Sequence, residues 1–239
     1  MAAMRAVILA GGVGSRLKPF TFAIPKPLVP IGEMPIIEIL LRQLAHQGFD
    51  RVTISVGHLA ELIKAVCGNG SKWRISIDYV EEDQPLGTAG GLSLIRDLRD
   101  DPVLVVNGDT LTDINFAKAV ESHPTGSGIT ICLNRRQVPI DFGVLEVDNE
   151  GFLHRYNEKP TLEYLVSMGV YVVSPWVISE RISPNERLEM PDLVRGLMSD
   201  GHPVRTHDSG AYWLDLGRID DLERGDAVFR SERERFLPG

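Results

Sequence analysis

The stretch Ala10–Ile31, AGGVGSRLKPFTFAIPKPLVPI, decides the fold class expected for this chain. It follows an apolar run typical of a strand, and it concentrates three glycines and three cations, namely Gly11, Gly12, Gly14, Arg16, Lys18 and Lys26. A strand that ends in glycines leaves successive backbone N–H groups free to turn toward one anion. The stretch therefore predicts a phosphate-binding turn, followed by a lysine that two prolines hold in place.

Two common phosphate motifs do not fit this turn. A dinucleotide-binding fingerprint needs glycine where Leu17 stands, and a Walker loop needs Gly-Lys-Ser/Thr, which the sequence lacks. The glycines alone are equally consistent with an ordinary glycine-rich turn beside solvated cations. Lys18 is best interpreted as such a solvated cation.

The whole phrase is more specific than its glycines. It resembles the signature of the sugar-1-phosphate nucleotidylyltransferases, G-G-x-G-[ST]-R-L followed by P-K-P, and further phrases extend the resemblance from Arg5 to about Asp221. The residues that match this signature are Gly11, Gly12, Gly14, Ser15, Arg16, Leu17, Pro25, Lys26 and Pro27. The resemblance implies a Rossmann-like, three-layer α/β/α fold with a mixed, mainly parallel central sheet.

Composition and charge limit the function classes. The chain has 33 acidic and 25 basic residues, a net charge of −8, so nucleic acid is not an expected partner, because binding a polyanion needs a basic face. No apolar run is long enough to span a membrane, and the N-terminus has no signal-peptide pattern. Cys67 and Cys132 lack metal-ligand spacing and are interpreted as reduced thiols. We therefore expect a cytoplasmic protein without a membrane partner.

Strand-like and helix-like segments alternate in the first half, which favours a parallel sheet covered by helices. In the second half, strand-like runs follow one another at 128–133, 143–148, 152–157 and 166–173, which favours an antiparallel or mixed extension. We interpret 1–239 as a single nucleotidylyltransferase domain without the additional C-terminal domain of longer family members. Its nucleotide-binding half is 1–110, and its sugar-phosphate-binding half with the C-terminal helix is 111–239.

Three helices are expected in other parts of the chain. A helix is expected at 92–98. Another is expected from about Asp220 to Phe236, as a solvated or subunit-contacting cap, so that a homo-oligomer is compatible with the sequence. Glu189 and Asp192 flank the start of a third helix, where capping is their default interpretation.

Two aspartates are the candidate metal ligands. In an open parallel sheet, ligands bind at the carboxyl ends of strands, where the buried run Val103–Val106 leads into N-G-D. Asp109 is therefore either a turn residue or a metal ligand. The resemblance implies the second, with Asp215 in a W-L-D-L-G phrase completing a site for Mg²⁺, a hard ion that takes carboxylates, phosphate oxygens and water. No Asp-x-Asp pair occurs, which argues against a nucleotide-sugar-dependent glycosyltransferase.

The reaction implied by the resemblance is attack of a sugar 1-phosphate on the α-phosphorus of an NTP, with loss of pyrophosphate. Both substrates are anions, so catalysis is mainly positioning and charge stabilisation. We assign Arg16 to the β- and γ-phosphates, because its guanidinium grips two oxygens, and Lys26 to the α-phosphate and the incoming sugar phosphate. The other nucleotide contacts expected in the turn are Ala10, Gly11, Gly12, Gly14 and Ser15.

The resemblance also assigns sugar-phosphate contacts. Glu158 and Lys159 fill an E-K-P phrase, in which the lysine neutralises the phosphate and the glutamate accepts from sugar hydroxyls. Gly143 fills an aromatic-G-V step, where a side chain would collide with the sugar. Gly169 leads a strand that lines the same pocket, and Asn107 would orient the neighbouring aspartate or reach a hydroxyl. Mannose or a heptose is favoured, with glucose and N-acetylmuramic acid 1-phosphate as alternatives.

The loop 81–91 resembles the family's base-binding loop. It contributes Pro85, Gly87 and Thr88, with Gly87 letting the backbone approach the base. Glu82 stands where several members carry a glutamine that reads uracil or thymine. A carboxylate only accepts hydrogen bonds, so it suits the adjacent donors of guanine. GTP is therefore favoured and UTP or dTTP is the alternative. A non-catalytic nucleotide-sugar-binding regulatory subunit is the alternative of another class.

Overall fold

The computed structural model describes residues 4–12, 14–98 and 101–237. The strands are β1 (Met4–Ala10), β2 (Pro30–Ile31), β3 (Met34–Pro35), β4 (Phe49–Val56), β5 (Ser76–Glu81), β6 (Val103–Asn107), β7 (Thr110–Thr112), β8 (Ile129–Pro139), β9 (Val144–Val147), β10 (Leu153–Asn157), β11 (Thr161–Val173), β12 (Val204–Asp208) and β13 (Trp213–Asp215). The helices are α1 (Ile36–His46), α2 (Ala60–Cys67), α3 (Gly87–Gly90), α4 (Phe116–Glu121), α5 (Pro175–Arg181), α6 (Met190–Ser199), α7 (Ile219–Ser231) and α8 (Arg233–Phe236).

Seven strands form the central sheet in the order β12-β8-β11-β6-β1-β4-β5. β1 pairs in parallel with β4 and β6, β4 pairs in parallel with β5, and β8 pairs in parallel with β12. β11 runs antiparallel to both of its neighbours, β6 and β8. The sheet is therefore mixed and mainly parallel, as predicted, and the carboxyl ends of its parallel strands share one edge.

Helices cover both faces of this sheet, because successive strand residues point to opposite sides. In β1, Ala6 and Ile8 are buried in a cluster with residues of α1, α2 and α4. Val7, between them, is buried in a second cluster with residues of α5 and α6. The predicted three-layer α/β/α architecture is confirmed.

Strands β8 and β11 are longer than the sequence predicted. They pair from Thr161 opposite Pro139 to Ser167 opposite Leu133, and again from Tyr171 to Val173. The added segments are largely exposed, so they lack the apolar pattern of a core strand, and backbone pairing between the two strands keeps them extended. Together with the β9–β10 hairpin they form an exposed arm on the carboxyl side of the sheet.

The helix predicted at 92–98 is wrong. A 3₁₀ turn at Gly91–Leu94 is followed by Ile95 in an extended conformation, with φ −72° and ψ 122°. The Ser93 hydroxyl donates to the Gly90 carbonyl oxygen at 2.7 Å, and local bonds of this kind compete with helix formation. Leu92 and Ile95 are buried in the second cluster, so burial explains the apolar pattern that resembled a helix.

The C-terminal helix is interrupted, and it packs into the protein. Glu232 separates α7 from α8 in a non-helical conformation, with φ −127° and ψ 36°. Phe229 and Phe236 are 1% and 0% exposed in a third cluster that includes Leu111 and Leu216. Their seven-residue spacing places both rings on one face, a signal that the surrounding charges obscure. The expectation of a solvated cap is therefore corrected.

Two further expectations concern membrane spans and thiols. Across the described ranges, no helix combines the length and the apolar character needed to cross a membrane. Cys67 and Cys132 are free and buried, and burial raises the pKa of each thiol to about 12. Both thiols therefore remain protonated at neutral pH.

Replacing Phe236 by alanine tests the packed C-terminal helix. We expect Phe236→Ala to lower the free energy of unfolding by about 3–5 kcal/mol, because it empties a buried aromatic site. Arg233→Ala, on the exposed side of the same helix, should change it by less than about 0.5 kcal/mol. Urea unfolding followed by circular dichroism measures both, and equal effects of the two variants would contradict the packing described.

Candidate active site

The glycine turn after β1 is shaped by the ends of two neighbouring strands. A Cβ at Gly11 would lie 2.9 Å from Oε1 of Glu82, which follows β5. A Cβ at Gly57, which follows β4, would lie 3.0 Å from the Gly11 carbonyl oxygen. A Cβ at Gly12 would contact nothing within 4 Å. Gly11 and Gly57 therefore let three strand ends meet, whereas Gly12 leaves space open above the turn.

Gly14 carries the chain into a 3₁₀ turn at Ser15–Leu17. Its φ of 62° lies in the left-handed region, and a Cβ would come 2.9 Å from Thr21 Cγ2. Its carbonyl oxygen accepts from the Leu17 N–H at 3.0 Å and from the Thr21 hydroxyl at 2.9 Å. Glycine is required here for the backbone conformation and for the close approach of Thr21.

Asp109 and Asp215 lie side by side because the short strands next to them pair. β7 follows β6 directly and runs antiparallel to β13, with Thr110 opposite Asp215. The Leu216 N–H donates to the Asp109 carbonyl oxygen at 3.1 Å. Two aspartates far apart in the sequence are thus brought together by backbone hydrogen bonds.

Lys26 lies between the two aspartates. Its Nζ is bonded to Oδ2 of Asp109 and lies 3.7 Å from Oδ1 of Asp215, with 10% of the lysine side chain exposed. Pro25 and Pro27 restrict the backbone around the 3₁₀ turn at Lys26–Leu28. One largely buried ammonium group therefore offsets part of the charge of two partly exposed carboxylates.

The charge of the aspartate pair is only partly offset. Burial raises the pKa of the Asp215 carboxyl group and the charge of Asp109 raises it further, against opposing effects of Lys26 and Arg16. A Cβ at Gly217 would lie 3.0 Å from Oδ2 of Asp215 and 3.4 Å from Cζ of Arg16, so glycine also lets these two side chains approach. The raised pKa means that an added cation would stabilise the ionised pair.

The two carboxylates fit a hard divalent cation such as Mg²⁺, which needs only one or two of them beside phosphate and water oxygens. Over the residues that the structure describes, no group of three or more His, Cys, Asp or Glu side chains could hold a metal ion. A metal at Asp109 and Asp215 would therefore complete its coordination with a substrate or with water.

Two adjoining cavities open beside the aspartates. The phosphate cavity, of about 220 Å³, is lined by Gly12, Gly14, Arg16, Lys26 and Asp109 among others. The acceptor cavity, of about 250 Å³, is lined by Arg16, Asn107, Asp109, Gly169 and Asp215 among others. Arg16 and Asp109 border both cavities, so ligands in the two would meet at the aspartate pair.

Asn107 and Gly169 form one wall of the acceptor cavity. Gly169 has φ 69°, and a Cβ there would lie 2.4 Å from Nδ2 of Asn107. The pairing of β11 with β8 shifts between Ser167 and Tyr171, where the Ser167 hydroxyl donates to the Tyr171 hydroxyl at 3.0 Å. The structure brings these two predicted sugar-site residues together beside Asp109.

The other predicted sugar-site residues lie on the exposed arm. A Cβ at Gly143 would lie 2.5 Å from the Tyr156 hydroxyl, which donates to Glu158 at 3.0 Å. The nearest atoms to Gly143 thus belong to an exposed tyrosine side chain, and the predicted reason for this glycine, the approach of a sugar, stays a prediction. Lys159 is exposed with φ 44°, and it does not line the phosphate or the acceptor cavity.

Glu82 lies beneath the glycine turn with both carboxylate oxygens in use. Oε1 accepts from the Ser55 hydroxyl at 2.7 Å, and Oε2 accepts from the Leu86 N–H at 2.9 Å. The side chain thus joins the end of β4 to the predicted base-binding loop. Each carboxylate oxygen has a second acceptor site, so a role in reading the base stays a prediction.

The predicted base-binding loop is held by the segment before α6. Gly87 has φ 78°, and a Cβ there would lie 2.6 Å from the Leu188 carbonyl oxygen. The Thr88 N–H and hydroxyl both donate to Oε2 of Glu189, at 3.1 and 3.0 Å, while the same hydroxyl accepts from the Met190 N–H at 2.7 Å. Gly87 and Thr88 therefore serve contacts within the protein, and Pro85 is exposed.

Glu189 corrects the expectation of a helix cap. It makes no side-chain capping bond to α6, and bonds the first turn of α3 instead. Burial raises the pKa of its carboxyl group, but hydrogen bonds from Arg187 and Thr88 outweigh this effect and lower it overall. A carboxylate at the N-terminus of α3 also satisfies one of the N–H groups that a helix leaves unpaired.

The sequence analysis did not predict the supporting role of four residues: Thr21, Ser55, Gly57 and Gly217. Each holds a predicted site residue by a hydrogen bond or by close approach. One usable signal was present, because the parallel strands β1, β4 and β6 are each followed by glycine. A repeated strand–glycine pattern indicates strand ends that come close together.

The fold and site define an α/β protein with a phosphate-binding turn and a carboxylate pair at the carboxyl edge of its sheet. The nucleotidyl transferase family matches residues 5–231, and the chain belongs to this family. The resemblance stated from the sequence is therefore confirmed.

Relatives and a solved structure agree with this assignment. A UTP–glucose-1-phosphate uridylyltransferase of Synechocystis sp. is 33% identical over 237 residues, which cover 91% of this chain and 61% of the relative. A mannose-1-phosphate guanylyltransferase of Mycobacterium tuberculosis is 32% identical over 230 residues, covering 93% and 63%. The chain thus spans less than two thirds of the length of these relatives. HddC from Yersinia pseudotuberculosis superposes with a TM-score of 0.73 at 26% identity, covering 95% of this chain and 99% of HddC.

Two glycine substitutions separate an open turn from a packed one. Gly87→Ala should lower the free energy of unfolding by about 1–3 kcal/mol, because it strains a left-handed residue and meets the Leu188 carbonyl. Gly12→Ala should leave that free energy within about 1 kcal/mol of the native value but weaken nucleotide binding, because its methyl group enters the phosphate cavity. Thermal unfolding and nucleotide titration measure the two effects, and a stable Gly87→Ala variant would contradict the packing described.

Proposed function

We propose that this chain transfers a nucleotidyl group from an NTP to a sugar 1-phosphate, giving an NDP-sugar and pyrophosphate. GTP is the favoured donor, and mannose or heptose 1-phosphate is the favoured acceptor. The observation that supports this most is the meeting of Asp109, Asp215 and Lys26 where the phosphate and acceptor cavities join.

The proposed chemistry is a substitution at the α-phosphorus. An oxygen of the sugar 1-phosphate forms the new P–O bond, and the bond from the α-phosphorus to the pyrophosphate oxygen breaks. No covalent protein nucleophile is needed, so the site acts by positioning two anions and stabilising charge. Lys26 lines the phosphate cavity and is bonded to Asp109, which borders both cavities, so its ammonium is the proposed partner of the α-phosphate and of the incoming phosphate.

Arg16 is the proposed ligand of the leaving pyrophosphate. It borders both cavities, and among the described residues it forms no ion pair within 4.0 Å that would withhold its guanidinium from a phosphate chain. A guanidinium donates to two phosphate oxygens at once and stays charged at any working pH. The open space above Gly12 leaves room for the backbone N–H groups of the turn to approach the same chain.

Asp109 and Asp215 are the proposed ligands of Mg²⁺. When bound, such an ion would neutralise charge on the phosphates as bonds form and break. The aspartates would hold the positive charge of this ion beside the ammonium group of Lys26. The two cations would then offset the repulsion between two anionic substrates.

The donor and acceptor have alternatives among the relatives. The matched proteins include a uridylyltransferase and a guanylyltransferase, and a glucose-1-phosphate thymidylyltransferase of Streptomyces griseus is 31% identical over 227 residues. HddC was also solved with GMP-PN, at 25% identity and a TM-score of 0.70. The GMP-PN complex and the acceptor-only chemistry of Glu82 favour GTP, and UTP or dTTP with glucose or N-acetylmuramate 1-phosphate is the alternative.

A regulatory subunit that binds a nucleotide sugar without turnover is the alternative of another class. The presence of Arg16, Lys26, Asp109 and Asp215 around two open cavities argues against it. A homo-oligomer and a cytoplasmic location stay predictions, and the oligomer would find exposed apolar side chains on the arm, such as Phe142 and Phe152.

Removing one carboxylate tests the proposed metal site. Asp109→Asn should lower turnover by about 10³-fold or more, because a neutral amide in place of one proposed carboxylate ligand weakens metal binding and no longer fixes the ion between the phosphates. The variant should stay folded, since the pairing of β7 with β13 uses backbone groups. Pyrophosphate release over a range of Mg²⁺ concentrations measures the effect.

Asp220→Asn is the matched control for this substitution. It removes one exposed carboxylate from the start of α7, away from both cavities, and should keep turnover within about twofold. Native turnover in Asp109→Asn would remove this residue from the metal site and contradict the mechanism proposed.

A panel of NTPs tests the donor preference. The native protein should have its highest kcat/KM with GTP, and Glu82→Gln should reduce that preference by about tenfold, because an amide replaces one acceptor oxygen by a donor. Pyrophosphate release with GTP, UTP, dTTP and ATP measures both.

Asp83→Asn, an exposed neighbour, is the control and should keep the native preference. An equal loss with all four NTPs would limit Glu82 to positioning the loop through Ser55 and Leu86. A native preference for UTP or dTTP would reject the argument from the carboxylate.

A further inference from the structure

A third cavity lies beside the acceptor cavity, and five of its eleven lining residues are arginines. This arginine cavity, of about 580 Å³, lies between the polar end of β8, the strand β13 and the start of α7. The charged side chains that line it are Arg16, Arg135, Arg136, Asp215, Arg218, Asp221 and Arg224. Arg16 and Asp215 also border the acceptor cavity, so the two spaces are neighbours.

Several of these arginines lack an acidic partner. Arg135 is paired with Asp208 at 2.7 Å and with Glu163 at 3.1 Å. Arg136, Arg218 and Arg224 form no ion pair within 4.0 Å among residues 4–12, 14–98 and 101–237. Cations thus outnumber carboxylates around this cavity, although the whole chain carries a net charge of −8.

The unpaired arginines face the cavity from two directions. Asn134 and Arg136 lie on the same side of β8, because strand residues alternate, and the Asn134 amide donates to the Ala211 carbonyl oxygen at 3.2 Å. This places Arg136 on the side of the chain that leads into β13. Arg218 and Arg224 come from the start of α7, opposite the strand. Several unpaired cations around one cavity favour a bound anion.

The order of strands indicates which part of a ligand reaches this cavity. The predicted base contacts follow β5, the phosphate turn follows β1, and the acceptor cavity lies at β6 and β11. The arginine cavity lies at β8, one strand further from the base. A group that reaches it therefore belongs to the end of the acceptor that is remote from the nucleotide.

We infer that the arginine cavity binds a second anionic group, a carboxylate or a phosphate, carried by the sugar 1-phosphate. The inference rests on the proposed function but replaces its favoured acceptors, since mannose and heptose 1-phosphate carry no second anion, by acidic or doubly phosphorylated sugars. Arg136, Arg218 and Arg224 are the residues that recognise this group. The leaving pyrophosphate has the same chemistry, so the test separates the two sources.

Matched acceptor pairs provide the test. The pairs are glucose and glucuronic acid 1-phosphate, N-acetylglucosamine and N-acetylmuramic acid 1-phosphate, and mannose 1-phosphate and 1,6-bisphosphate. We expect the acidic member of at least one pair to have a kcat/KM about tenfold or more above its neutral partner, as one charge-assisted contact would give. Isothermal titration calorimetry of the same acceptors reads the preference independently of turnover.

Single substitutions assign the preference to the cavity. Arg136→Gln, Arg218→Gln and Arg224→Gln should each raise KM for the preferred acidic acceptor by about tenfold, with a much smaller change for its neutral partner and for pyrophosphate in the reverse reaction. Arg205→Gln is the control with the same charge change. Arg205 is exposed on β12 opposite Thr130, at the other end of β8 from Arg136.

The outcomes distinguish this inference from the proposed function. Equal kcat/KM and equal affinity within every pair would overturn the inference while leaving nucleotidylyl transfer intact. The inference would also be overturned if the three arginine variants raised the KM for pyrophosphate in the reverse reaction whichever NDP-sugar is used. The cavity would then hold the leaving group. Absence of turnover with every acceptor, but tighter binding of the acidic members, would contradict the proposed function and support the cavity.

Discussion

A single ammonium group within reach of two carboxylates organises this site. Asp109 and Asp215 repel each other, yet backbone bonds between β7 and β13 hold these partly exposed side chains side by side. Lys26 offsets part of that repulsion, and flanking prolines fix its backbone. Gly108 completes the arrangement, because a Cβ there would lie 2.9 Å from the Leu9 carbonyl oxygen and 3.2 Å from Pro27 Cγ. The close approach of β1, β6 and the lysine turn therefore depends on a missing side chain.

The positions of the cations matter because the whole chain is acidic. The two anionic substrates proposed for this chain would approach a protein of net charge −8 only where cations are concentrated. Arg16 lies where the phosphate, acceptor and arginine cavities meet, so it contributes to the potential in all three. Because Arg16 is exposed, its electrostatic effect on a ligand increases when the ligand excludes water and weakens as salt screens it.

The sequence predicted the parts of the structure that local patterns encode. The layer architecture, the glycine turn and the meeting of Asp109 with Asp215 agree with expectation. In open parallel sheets, the residues that bind ligands regularly follow the carboxyl ends of the strands. The helix at 92–98 was wrong, because burial of Leu92 and Ile95 produces the same apolar pattern as a helix. The contacts of Thr88 with Glu189 were beyond prediction, since they join residues about a hundred positions apart through side chains, without any periodic signal.

The glycines show why a motif and its physical cause can differ. At Gly12 a side chain would enter open space, so the position is suited to a ligand, whereas at Gly87 and Gly143 a side chain would strike the protein itself. A sequence phrase cannot distinguish these cases, because the atom that excludes a Cβ lies elsewhere in the chain. The distinction matters for the predicted base-binding loop, residues 81–91. Since Thr88 and Glu189 hold that loop to the start of α6, any movement of the loop toward a base must also break or shift bonds to α6. The position of this loop and the position of α6 are therefore mechanically connected.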